Sequence, residues 1–444
     1  MADAARTWLR KTLKCLERSE RHVNAYVHVR ETGALEDAKK ADEKNPISSI
    51  HGWPFAVKEV IEVAGIATSG GCPALADHVP ATDATVVARL RDAGAILVGT
   101  QVSHELTCGL DEPPTRNPWN LACYPGGSSA GAGVSVAVGS ARFALGTDAA
   151  GSVRIPAAMT CTTGLKPTAG LVSSAGVLRQ ASAPSIDNVG IIARTAVDVA
   201  QVLRIIAGPD PLDPRTLQSA ADLTLDSPPI QSPTIAVLGP ISRSVLNGMR
   251  VVESDIDSCF ESACELFREI GANFSIIELP ELASAIDAVV TFFSCELAAV
   301  HRNLFELNRS MYHPSVAEML KSSFNTPTEQ LRDAVRIREN LRSEVDAALG
   351  NEGAEFLLTP TTPRVAMELA EFNPEAELGT LIPFTCGFNL TGHPAVSVPC
   401  GFSSGGLPIG LQLVGQRCKD SRLLALAQAF QERTDWHEQR PALP

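Results

Sequence analysis

Gly52-Trp53-Pro54-Phe55-Ala56-Val57-Lys58 is the stretch from which the fold is read. Phe55 to Lys58 is a short apolar run of strand length, Thr85-Val86-Val87-Ala88-Arg89-Leu90-Arg91 has helical spacing, and Ala95-Ile96-Leu97-Val98-Gly99 is a second strand. Uninterrupted apolar strands need cover on both faces. Their alternation with helices predicts an α/β fold with a large mixed, mostly parallel, twisted central sheet and helices on either side. The pattern returns downstream with strands over 234–239 and 274–279 around a helix over 254–270. Further strands follow at 356–360, 395–399 and 408–415, before a last helix over 421–432.

Around this core the chain is read as one domain, 1–444. Helices near 3–20 and 34–44 form an N-terminal helical wrap over 1–50. Residues 51–207 form the core that carries the candidate chemistry, 208–233 a polar, proline-rich connector, and 281–350 a mainly helical segment suited to substrate specificity. Residues 117–174 are rich in Gly, Ser, Ala and Thr, which let backbone segments pass closely, and a helix over 132–138 is expected to pack tightly on the sheet.

Composition narrows the classes. At 444 residues, 45% apolar and 20% charged, the chain can bury a substantial core. A net charge of −13 gives it no general attraction to nucleic acid or to an anionic membrane. The eleven cysteines are scattered and never form C-x-x-C, so they read as reduced thiols in a cytoplasmic protein. Residues 1–21 mix Arg, Lys and Glu without an apolar h-region, so no secretory signal is expected. The uncharged run over 117–141 is too rich in Gly, Ser and Pro to span a bilayer. The nine histidines are dispersed and H-E-x-x-H is absent, so no metal is expected.

The candidate chemistry lies in three segments. Pro125-Gly126-Gly127-Ser128-Ser129-Ala130-Gly131 and Gly146-Thr147-Asp148-Ala149-Ala150-Gly151-Ser152-Val153-Arg154 offer serines in glycine-rich backbone, and Lys58 closes an apolar strand. A serine hydroxyl needs a base at neutral pH, and a lysine kept uncharged by burial can serve as one. Read locally, Lys58 is equally an ion-pair partner for Glu59, and Asp148 with Arg154 is either a buried brace or an exposed pair. Small residues at 149–151 allow backbone N–H groups to converge beside Ser152 as an oxyanion hole, or to make a tight structural turn. Gly127-Ser128-Ser129-Ala130-Gly131 matches G-x-S-x-G, which would make Ser129 the nucleophile of an α/β-hydrolase. The preceding residues, Asn117 to Pro125, are loop-like where that motif requires a strand.

Together and in order these segments resemble the amidase signature family. The likeness includes Val23-Asn24-Ala25-Tyr26, Gly52 to Lys58, Asn117-Pro118-Trp119-Asn120, Thr163-Gly164-Leu165-Lys166-Pro167-Thr168, Leu358-Thr359-Pro360-Thr361, Phe388-Asn389-Leu390-Thr391-Gly392-His393-Pro394 and Gly410-Leu411-Gln412. The resemblance implies an amidase with Ser152 as acyl-forming nucleophile, Ser128 as bridging serine after a cis Gly127–Ser128 peptide, and Lys58 as base. It further implies an oxyanion hole from the amides of Ala149, Ala150, Gly151 and Ser152, with Ser129, Asp148 and Arg154 in support. No cofactor follows from it. It implies a small-molecule amide as substrate and a homodimer as a possible oligomer, while the acidic charge and the lack of a spanning segment argue for no direct nucleic-acid or membrane partner. Two departures stand out, Ala150 and Ala130 where the family has glycine; an alanine at 150 requires negative φ. Rival readings are an A-type glutaminase subunit of a tRNA-dependent amidotransferase and a non-catalytic binding protein with the same fold.

Overall fold

The computed structural model describes residues 4–216, 230–239, 242, 252–350 and 353–443. Of the connector expected over 208–233, residues 217–229 lie outside the described residues. Among the described residues eleven strands form one sheet: β1 Tyr26–Val29, β2 Pro54–Lys58, β3 Ile96–Gln101, β4 Phe143–Asp148, β5 Thr163–Lys166, β6 Asn188–Ala193, β7 Thr234–Leu238, β8 Asn273–Ile277, β9 Phe356–Pro360, β10 Ala395–Phe402 and β11 Pro408–Gly415. Their spatial order is β1-β3-β2-β4-β6-β5-β10-β11-β9-β7-β8.

Successive side chains of a strand point to opposite faces, and the core follows that period. Phe55 and Val57 of β2, Leu97 of β3, Phe143 and Leu145 of β4, and Ile191 of β6 face one apolar layer. Their neighbours Ala56, Ile96, Val98, Ala144 and Ile192 face the other, with Ala132, Val134 and Val136. The second layer is built from smaller residues, so the helix Ala130–Val138 sits close to the chain beneath it. A Cβ added at Gly131 would lie 2.2 Å from the Ala25 carbonyl, and one at Gly133 would lie 3.1 Å from the Pro156 carbonyl. The small-residue character of 117–174 is thus a packing requirement.

The α/β architecture is as expected, but the sheet is not mostly parallel. The parallel pairs are β2 with β3 and β4, and β7 with β8 and β9; the middle of the sheet, β4-β6-β5-β10-β11-β9, is antiparallel throughout. Strand–helix alternation reports parallel crossovers only where consecutive strands pair, and β5, β10 and β11 pair with strands remote in sequence or across a hairpin. The wrap over 1–50 is likewise not purely helical. Between the helices Ala4–Val23 and Glu31–Asp42, Asn24 takes φ 50° and β1 pairs antiparallel with β3 at the sheet edge.

The segment 281–350 is mainly helical, with helices Ala285–Asn308, Pro314–Ser323 and Thr328–Ala348. By length and composition the stretch Pro280–Met311 could cross a bilayer, but half of its apolar window is buried inside the protein.

Candidate active site

Three chain reversals at one side of the sheet bring the predicted residues together. Lys58 ends β2, Ser128 and Ser129 lead into the helix Ala130–Val138, and Ser152 lies in the turn between β4 and the helix Arg154–Thr160. Lys58 is fully buried, and its Nζ lies 2.8 Å from Ser128 Oγ and 3.1 Å from Thr147 Oγ1. Burial pushes its pKa down to about 8, against the opposing pull of the carboxylates of Asp187, Asp148 and Glu59. Glu59 does not take the lysine as an ion-pair partner: its oxygens accept from Ser69 Oγ at 3.1 Å and from the Ser103 amide at 3.3 Å.

The Gly127–Ser128 peptide is cis. Only glycine fits at 127, because a Cβ there would lie 2.2 Å from His104 Nε2 and 2.6 Å from the Tyr124 hydroxyl. His104 is held by Asp111 Oδ1 at 3.1 Å and by that hydroxyl at 3.0 Å, and its amide donates to the Ser128 carbonyl at 3.2 Å, so this histidine frames the segment. Ser129 is buried; its Oγ donates to the Thr147 carbonyl at 3.3 Å and its amide to the Ser152 carbonyl at 3.2 Å. It links the two serine segments. The residues before it form no regular strand, and the nucleophile-elbow arrangement is absent.

The turn carrying Ser152 is organised by Asp148, whose carboxylate accepts from the amides of Gly151 at 2.8 Å, Val153 at 3.2 Å and Arg154 at 3.4 Å. Arg154 adds two side-chain contacts at 2.8 and 3.0 Å, and both residues are fully buried. Burial alone would raise the Asp148 carboxyl, but the Arg154 charge and these hydrogen bonds hold it at about 2. The buried-brace reading is the one found.

One expectation changes here. The Gly151 amide is engaged by Asp148, which leaves the amides of Ala149, Ala150 and Ser152 without a protein acceptor among the described residues. Gly151 itself takes φ 134°, and a Cβ there would lie 2.4 Å from Thr385 Oγ1. Ala150 is not among the residues of positive φ, so its methyl is accommodated, and Ala130 merely opens a helix.

Ser128, Ser152, Ala149 and Ala150 line one cleft of about 930 Å³, including its open mouth. The rest of its wall is largely apolar, with Val289, Val290 and Phe293 from the helix Ala285–Asn308, Phe372, and Leu381 and Ile382. No charged side chain is among the described residues that line it.

Sequence reasoning passed over Thr147, Asp187, Thr385, Asn389 and Gln412. Asn389 and Gln412 fall in segments that carried the resemblance, and Thr147 adjoins Asp148. Nothing local marks the others.

A family model described as Amidase matches residues 8–424. The chain belongs to the amidase family. Among its relatives, this amidase-family chain is 32% identical to a Glutamyl-tRNA(Gln) amidotransferase subunit, the A-type one, of Aromatoleum aromaticum, over 96% of this chain and 94% of that protein. Among solved structures, 6-aminohexanoate cyclic dimer hydrolase superposes with a TM-score of 0.88 at 25% identity, covering 99% of this chain and 95% of the other. The native peptide amidase from Stenotrophomonas maltophilia superposes with a TM-score of 0.83 at 28% identity, covering 98% and 94%. Amidase-family enzymes hydrolyse C–N amide bonds, which sets the reaction class to which the site belongs.

Proposed function

We propose that the protein is a stand-alone amidohydrolase that cleaves an apolar carboxamide of small or medium size through an acyl-enzyme on Ser152. The supporting observation is the buried Lys58–Ser128 contact of 2.8 Å opening onto an apolar cleft that Ser152 also lines.

In this reading neutral Lys58 takes the proton of Ser128 while Ser128 takes that of Ser152, and Ser152 Oγ bonds to the amide carbon. Negative charge collects on the carbonyl oxygen. The unengaged amides of Ala149, Ala150 and Ser152 are suited to hold it, since such donors act without reorganising. The proton returns through Ser128 to the nitrogen, the C–N bond breaks, and ammonia or an amine leaves. Water then attacks the ester by the same relay, and the carboxylate departs. Ser129, Asp148 and Arg154 keep the two serine segments in place.

The second reading, a glutaminase within a larger amidotransferase, is favoured by the likeness to the Aromatoleum aromaticum protein. Glutamine carries a carboxylate and an ammonium that need charged or strongly polar partners when bound, and the described cleft wall has no charged side chain. An apolar amide suits it better.

Ammonia or amine release from a panel of aryl and alkyl carboxamides, with glutamine beside them, tests the proposal. Turnover of the apolar amides by the isolated chain, lost in Ser152→Ala, is expected. Glutamine hydrolysis alone, dependent on added partner chains, would overturn it.

A further inference from the structure

Asp187 immediately precedes β6, is only 8% exposed, and neither carboxyl oxygen has a hydrogen-bond partner. The Ser182 hydroxyl and Asn188 amide approach it without hydrogen-bonding geometry. A buried carboxyl left this way calls for an explanation.

The sheet registers show what lies near it. β6 lies beside β4 with Asn188 opposite Asp148 and Val189 opposite Thr147, and Thr147 carries the hydroxyl that Lys58 Nζ reaches from β2. Asp187 and Lys58 therefore lie at the same end of three neighbouring strands, near enough for the carboxylate charge to favour the protonated lysine. The other groups facing Lys58 are committed elsewhere or uncharged: Asp148 is neutralised by Arg154, Glu59 is hydrogen-bonded by Ser69 and Ser103, and burial keeps the Cys108 thiol protonated. Away from Lys58, Asp187 borders a polar cavity with Asp213, Arg215 and Arg338. There Arg215 pairs with Asp213 at 2.8 Å and Arg338 donates to Ser185 Oγ at 3.1 Å.

We propose that Asp187 is a positioning residue for Lys58, supplying the counter-charge for the ammonium formed whenever the relay delivers a proton from Ser128. The proposal rests on the reading of Lys58 as the base. No bond to Asp187 forms or breaks: one proton moves from Ser128 to the lysine nitrogen and later returns, and the carboxylate stabilises only the protonated interval. Burial disfavours charge on both side chains, and each charge offsets that cost for the other.

The test is the rate at which a fluorophosphonate modifies Ser152, followed across pH in the wild type, D187N and D187E. This readout needs no knowledge of the substrate. Removing the negative charge lowers the proton affinity of Lys58, so in D187N the acid limb moves to lower pH by about one unit. The limiting rate falls about tenfold as the base weakens. D187E restores the limb. D187S carries the same expectation as D187N and serves if that variant does not fold. A wild-type limb that stays in place in the folded variants overturns the role of Asp187 while leaving the amidase reading intact. Failure of the wild type to be modified at Ser152 overturns the amidase reading itself.

Discussion

Arg154 and Gln412 stand 258 positions apart, yet the guanidinium Nη1 donates to Gln412 Oε1 at 2.7 Å. The same side chain donates to the Thr385 carbonyl at 2.9 Å, to Asn389 Oδ1 at 2.6 Å, and to both oxygens of Asp148. Its five N–H donors thus meet five acceptors. This one residue fastens the Ser152 turn to the C-terminal half of the chain, which also supplies cleft residues Leu381 and Ile382.

Arg154→Met leaves Asp148 buried without its counter-charge. Stability is expected to fall by about 3–5 kcal/mol in urea unfolding, with loss of turnover. A change below about 1 kcal/mol would show that the turn stands without the ion pair.

Asp148 links the same turn to pH. Its carboxyl ionises at about 2 in the folded protein against an ordinary 3.8, so its contribution to stability is complete above the ordinary value and is lost as pH falls toward 2. The difference corresponds to about 2 kcal/mol. Urea midpoints measured down the acid range should fall more shallowly for Asp148→Asn, from a lower starting point, than for the wild type.

Lys58 predicts the pH dependence of the rate. Because burial brings its pKa down to about 8, activity is expected to decline as pH falls through that value and the amine becomes protonated. Lys58→Met should lower kcat by about a thousandfold or more with little loss of thermal stability, since an apolar chain of similar length replaces a buried amine. Near-normal turnover in that variant would reject Lys58 as the base.

Phe293 lines the same cleft as Ser128 and Ser152 and tests the substrate class. Phe293→Ala should reduce kcat/KM for an aryl carboxamide by about 10–100-fold while leaving acetamide turnover little changed. Equal losses on both substrates would mean that Phe293 shapes the site without reading the acyl group.

Gly151→Ala places a Cβ against Thr385 at φ 134°. The turn must shift, and a cost of about 1–3 kcal/mol with a large loss of turnover is expected. Gly65→Ala provides the comparison: its φ is also positive, at 75°, but a Cβ there meets nothing within 4 Å, so only the backbone cost applies and activity should survive.

Local sequence was enough for β2, the helix Thr85–Asp92 and β3, because apolar runs of the right length declare burial wherever they occur. It was enough also to single out Lys58, Ser128 and Ser152, since a lysine closing an apolar strand and serines among glycines are chemically conspicuous. β4, β5 and β6 escaped such a reading. Phe143–Asp148 and Thr163–Lys166 lie among small residues whose strand character depends on neighbours, and β1 sits between charged helices. Tertiary structure alone decided that the middle of the sheet is antiparallel, that Asp148 and Arg154 are buried, that Gly151 gives its amide to Asp148, and that Asp187 lies at the same end of the sheet strands as Lys58. Those facts depend on strand register and on contacts between residues hundreds of positions apart, whereas local patterning records only which faces of each segment avoid water.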